Sequence, residues 1–115
     1  MIDVRHLSSM GGIESLLVRE VVEEFLAELT DERDALSKLL ESQDHGALRE
    51  RLHKFAGAAG MAGFTALWTH LARWERVVVE RSAMDPGEWL TVLDVRIAEG
   101  RDAWRQAVGE QAGAS

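Results

Sequence analysis

The chain has 115 residues, 46% of them hydrophobic, and a formal net charge of −7. That is enough for one domain with a single core, and so acidic a balance argues against nucleic acid, whose phosphates need a basic surface. The absence of cysteine excludes disulfides and cysteine-ligated metal.

Residues 2–9 are expected to form a short lead helix, with Ile2, Val4 and Leu7 as its apolar contacts and Gly11-Gly12 breaking it. This opening lacks the character of a signal peptide, and no apolar run approaches the length of a membrane span. The expected location is therefore cytoplasmic, without membrane contact. From about Ile13 to Glu41 the positions Val18, Val22, Phe25, Leu29, Leu36 and Leu40 keep one helical phase. Thr30-Asp31-Glu32 has the composition of a cap, but the phase is the same on both sides of it, which predicts one uninterrupted helix. Its many acids, Glu20 to Asp34, read as a solvated face. Leu17 and Val21 fall about 100° or more off the core stripe; they are expected either on the surface beside the histidine of the next helix, as partner contacts, or against the short N-terminal helix.

Asp44 is a suitable N-cap for a helix over about 45–60, with Leu48, Leu52, Phe55, Ala59 and Ala62 inward. A third helix is expected over about 64–81, with Leu67, Leu71, Trp74 and Val78 inward. Asp85-Pro86-Gly87-Glu88 reads as a helix start: an aspartate cap, proline in the first turn, and glutamate in a capping-box-like position. The last helix should bury Leu90, Leu93, Ile97 and Trp104, and residues 109–115 are expected to be a frayed, disordered tail. One proline, abundant Leu, Ala, Glu and Arg, and no strand-like alternation point to an all-α fold. The predicted architecture is an up-and-down antiparallel four-helix bundle with a short N-terminal helix, a single monomeric domain over 1–115.

One histidine stands out. His53 lies about 100° from the Leu52 stripe and should point outward. Gly46, Arg49, Gly57 and Gly60 share its flank, and three of these four are glycines. Each glycine inside a helix costs about 1 kcal/mol relative to alanine, so a row of them beside one imidazole needs a reason. An uncluttered approach for another protein is such a reason. Arg49, Arg51 and Lys54 form a small basic island around the ring, opposed by Glu50, and would suit an acidic partner site.

The run Leu52-His53-Lys54-Phe55-Ala56-Gly57-Ala58-Ala59-Gly60-Met61-Ala62-Gly63 resembles the histidine phosphotransfer (HPt) domain family. Met10-Gly11-Gly12, Phe25, Asp44 and Trp74-Glu75 also fit. The resemblance implies a four-helix bundle that presents a phosphorylatable histidine to receiver domains of response regulators. His53 would then be the phosphorylated residue, Gly57 the close-approach glycine and Gly63 the turn glycine. The partners implied are receiver domains or a hybrid histidine kinase. The chain would have no cofactor of its own, since the receiver brings the aspartate and the magnesium. Two positions depart from the pattern: Ala56 stands where a lysine is usual, and Ala58 where a serine is frequent. The expected partner-binding set is Arg49, Lys54, Ala56, Gly57, Gly60, Leu17 and Val21. Arg49, one turn before His53, is the first candidate for the missing cation.

A phosphoryl acceptor needs a neutral imidazole nitrogen with a free lone pair, available near pH 7 at the reference pKa of about 6.5. No Walker-type loop, His-Glu-x-x-His motif or His pair at i, i+4 is present, so self-sufficient enzymatic or metal chemistry is not expected. His6, His45 and His70 read as structural or surface residues. Trp74 and Trp104 lie on core stripes, whereas Trp68 and Trp89 fit less well and are candidates for interface anchors. Two alternatives to a phosphorelay carrier remain open: a module of the same fold that binds a receiver without being phosphorylated, and a helical adaptor in which His53 is buried or crowded.

Overall fold

The computed structural model describes residues 16–81 and 85–114, with side chains as far as Gly109. Its four helices are α1 (Leu16–Ser42), α2 (His45–Met61), α3 (Thr65–Val79) and α4 (Pro86–Ala114). The expected lead helix over 2–9 and the start at Ile13 lie outside the described residues. Helix α1 runs unbroken through Thr30-Asp31-Glu32, as its constant apolar phase predicts. Helix α4 is assigned as far as Ala114.

Each helix end is made by identifiable residues. After α1, Gln43 takes a left-handed φ of 57°, and its N–H donates to the Leu40 carbonyl at 3.3 Å. The Asp44 carboxylate then accepts from the Ala47 N–H at 3.0 Å, satisfying one of the open donors of the first turn of α2. At the other end of α2 the φ of Gly63 is 86°. Phe64 N–H donates to Ala59 O at 2.9 Å and Gly63 N–H to Gly60 O at 3.1 Å, the paired bonds of a Schellman turn. Asp85 caps α4, accepting from Gly87 N–H at 3.0 Å and Glu88 N–H at 3.4 Å.

The helices pack in a ring, α1 on α2, α2 on α3, α3 on α4, and α4 back on α1. Cross-links show that successive helices run antiparallel. Glu32 pairs with Arg51 while Phe25 meets Phe55, and Arg33 pairs with Asp94 while Leu26 shares a surface depression with Trp104. The expected inward residues Val18, Val22, Phe25, Leu29, Leu36, Leu48, Leu52, Phe55, Ala59, Ala62, Leu67, Leu71, Trp74, Val78, Leu93 and Trp104 are all buried. Leu40, Leu90 and Ile97 pack on the core's edge. Phe64, just past the Gly63 turn, is buried and stacks on Phe25 with ring centroids 5.3 Å apart. It also lies against Gly100 of α4, where a Cβ would come within 2.9 Å of its ring. The four-helix core thus closes tightly around one hairpin, α2–α3, and that hairpin carries the site.

Candidate functional site

His53 sits in the middle of α2 with its side chain 77% exposed. The adaptor reading, which needs a buried or crowded ring, does not agree with this. The Schellman turn sets the register of the hairpin: positions equidistant from Phe64 face one another across α2 and α3. Glu75 therefore lies opposite His53, and its Oε1 is 3.1 Å from His53 Nδ1. An ionised carboxylate can only accept, so Nδ1 carries the proton and donates it. The Nε2 lone pair is left at the outer end of the ring. Nothing in the spacing around His53 points to this partner; it follows only from a hairpin register folded about residue 64.

Around the ring is an open depression of about 410 Å³ lined by Gly46, Arg49, Glu50, His53 and Glu75. The flank beyond it is bare. A Cβ built on Gly57 meets nothing within 4 Å, so no internal packing explains a glycine there. Gly60 differs: its Cβ would lie 3.3 Å from Trp68 Cδ1. The indole of Trp68 rests on that glycine, and the close packing of α2 on α3 accounts for it.

The basic island is smaller than the sequence indicates. Arg51 faces α1, where it forms a two-pronged ion pair with Glu32 at 2.8 and 3.2 Å. Lys54 pairs with Glu50 at 3.2 Å and lines the α1–α2 groove instead of the depression at His53. Arg49 alone among these three lines that depression, and it makes no ion pair among the described residues.

Ala56, expected on the partner-binding flank, is only 6% exposed and belongs to the core. Its angular position points it into the bundle, where alanine fits and a docking contact cannot form. Leu17 is exposed (62%) and Val21 partly so, but they are not beside His53. Glu32 pairs with Arg51 and Phe25 with Phe55, so the level of His53 on α1 falls between Phe25 and Glu32. Leu17 is about three helical turns farther along, and no α1 residue lines the His53 depression. The structure thus brings together His53, Arg49 and Gly46 with Glu75, leaves Gly57 open next to them, and sets Lys54, Ala56, Leu17 and Val21 apart.

The second histidine of the hairpin behaves differently. His70 is buried, its Nε2–H donating to the Trp89 carbonyl at 3.0 Å. Its ring stacks on Trp89 at 5.1 Å and lies 6.0 Å from Trp74. Desolvation lowers its pKa from the ordinary value; the bond to Trp89 opposes this, while Arg96 and Arg73 reinforce it. Trp89, partly buried, packs into this aromatic cluster, whereas Trp68 is 46% exposed. Among the described residues no helix is long and apolar enough to cross a membrane, and no group of three or more His, Asp or Glu is placed to hold a metal ion.

No curated protein and no solved structure matches the chain. A family model does: that of the Hpt domain, over residues 20–109, which spans all of α2 and α3 and most of α1 and α4. With a match over most of its length, a helical bundle and a bare histidine in the middle of the second helix, the chain belongs to the Hpt domain family, the phosphotransfer modules of two-component signalling.

Proposed function

We propose that this chain is a phosphorelay intermediate that carries a phosphoryl group on His53 between receiver-domain aspartates. The observation that carries the reading is the state of one ring: exposed, tied at Nδ1 to Glu75, and approached over a glycine that nothing inside the molecule requires. In the transfer step the Nε2 lone pair attacks phosphorus as the bond from phosphorus to the aspartyl oxygen breaks. The aspartate leaves as a carboxylate, and the ring, still protonated at Nδ1, gains positive charge. Glu75 compensates that charge through the bond that already orients the ring. The remaining charge management of phosphoryl transfer, including magnesium, comes from the receiver. Arg49, which lines the depression at His53, is the candidate to meet the phosphoryl oxygens.

The test is transfer from a panel of phosphorylated receiver domains with magnesium, comparing wild type with His53→Gln. Acid-labile label on the wild type alone supports the proposal, and equal labelling of both overturns it. A second reading, a module that binds receivers without being phosphorylated, draws on Ala56, which stands where similar domains carry lysine. It predicts receiver binding by both proteins and label on neither.

A further inference from the structure

Besides Met61 at the end of α2, three exposed apolar features compete for a docking role among the described residues. Leu16 and Leu17 adjoin residues 1–15, which lie outside the described part, and Val95 stands alone on α4. The third is a pattern. On α3, Trp68, Ala72, Glu75 and Val79 recur at helical spacing and share one face. Trp68 is 46% and Val79 50% exposed, and Glu75, between them, holds His53. The phosphoacceptor thus has a large apolar side chain at about 10 Å along the helix on one side and at about 6 Å on the other.

We propose that the receiver domain docks along the α2–α3 groove, with Trp68 as its apolar anchor and Val79 as the contact at the opposite end. This rests on the phosphorelay reading above. An aspartyl phosphate within bonding distance of His53 Nε2 brings the rim of the receiver's pocket down on the residues about one to two turns away. On this side those residues are Gly57, which is open, and Gly60 with the indole upon it.

Three observations favour this groove over the α1 side. First, the indole is held ready. It lies across Gly60 at a distance that a methyl group would disturb, so little side-chain freedom is lost on binding, and tryptophan is the residue type most enriched at energetic centres of interfaces. Second, the α1–α2 groove is crossed by the Arg51–Glu32 pair and flanked by Lys54 and Glu28, charges that a partner would have to desolvate. Third, of the charged groups lining the His53 depression Glu50 is paired with Lys54 and Glu75 with His53, which leaves Arg49 without an ion-pair partner among the described residues to meet the acidic pocket of a receiver.

The experiment measures phosphotransfer rate against receiver concentration, using the receiver that labels wild-type protein fastest. Trp68→Ala is expected to raise KM by about tenfold and leave the saturating rate within about twofold, as loss of a docking contact does. Gly60→Ala, which displaces the indole without removing it, and Val79→Ser should give smaller rises of the same kind. An unchanged KM in Trp68→Ala and Val79→Ser, on a labelled wild type, overturns this inference alone. A wild type labelled by no receiver overturns the phosphorelay reading and this surface with it. Sedimentation tests the competing occupant: a wild-type dimer that Trp68→Ala dissolves would assign the patch to a second copy of the chain.

Discussion

The α2–α3 hairpin holds two histidines in opposite conditions. Both place one ring nitrogen about a hydrogen bond from an oxygen, 3.1 Å for His53 and 3.0 Å for His70. The resemblance ends there. His53 faces a carboxylate and open space; His70 faces a backbone carbonyl beside two indoles. A hydrogen bond that fixes the tautomer is common to both and so cannot be what makes a phosphoacceptor. On the proposed reading access makes it, together with a counter-charge that can follow the ring as it becomes cationic.

The largest effect expected from this contrast is all-or-none. His53→Gln should abolish receiver-dependent labelling, while His70→Gln, which keeps a donor for the Trp89 carbonyl, should be labelled at the wild-type rate. Phosphotransfer followed by mapping of the labelled residue checks both. Label persisting in His53→Gln would erase the distinction between the two rings.

Next in size is the counter-charge. Glu75→Ala should slow labelling about tenfold, equivalent to one hydrogen bond to a charged group at about 1.5 kcal/mol. Glu75→Gln, whose amide oxygen still accepts from Nδ1, should lie between. Imidazole nitrogen shifts report the cause directly: the Nδ1–H form should dominate in wild type and give way to a mixture in Glu75→Ala. A slow Glu75→Ala with an unchanged tautomer would make the carboxylate a source of charge only.

Much of this was legible in the chain because core and caps leave local marks. The stripes from Val18 to Leu40 and from Leu67 to Val78 need nothing beyond helical period. Asp44, Gly63 and Asp85 act within four residues of their own positions. The exposure of His53 followed from its angle to Leu52. Part of the rest depends on the neighbouring helix. The pairing of Arg51 with Glu32 is set by the register of α1 against α2, which no local spacing encodes, and the same register carries Leu17 three turns away. Ala56 stands at a family position whose side chain here turns into the core, an angle its spacing from Leu52 and Ala59 already encodes. Gly100 drew no notice, although the ring of Phe64 fills the space where its side chain would be.

The glycines extend the comparison to stability. Gly57→Ala should stabilise the fold by about 0.5–1 kcal/mol, because its Cβ enters open space and alanine favours helix. A rise in Tm of about 4 °C is expected, together with slower transfer because the approach to His53 is obstructed. Gly60→Ala gains the same propensity but must shift Trp68, so its Tm should rise less or fall. Thermal melts and transfer rates on the two variants separate a glycine kept for a partner from one kept for packing. A stabilised Gly57→Ala with unchanged transfer would remove the partner's claim on that position.

The smallest expected effect belongs to His70 and has a definite sign. Burial, resisted by the Trp89 carbonyl and reinforced by Arg96 and Arg73, holds its pKa below the ordinary value, whereas in the unfolded chain it titrates near about 6.5. Between those two values the unfolded state binds a proton that the folded state refuses. Stability therefore falls as pH drops below about 6.5 and is unaffected by this group above it. Melting temperatures between pH 7.5 and 5 should decline more steeply in wild type than in His70→Gln. Parallel curves for wild type and His70→Gln would mean that the indole cluster accommodates the charged ring, and the burial that separates the two histidines would then carry no energetic weight.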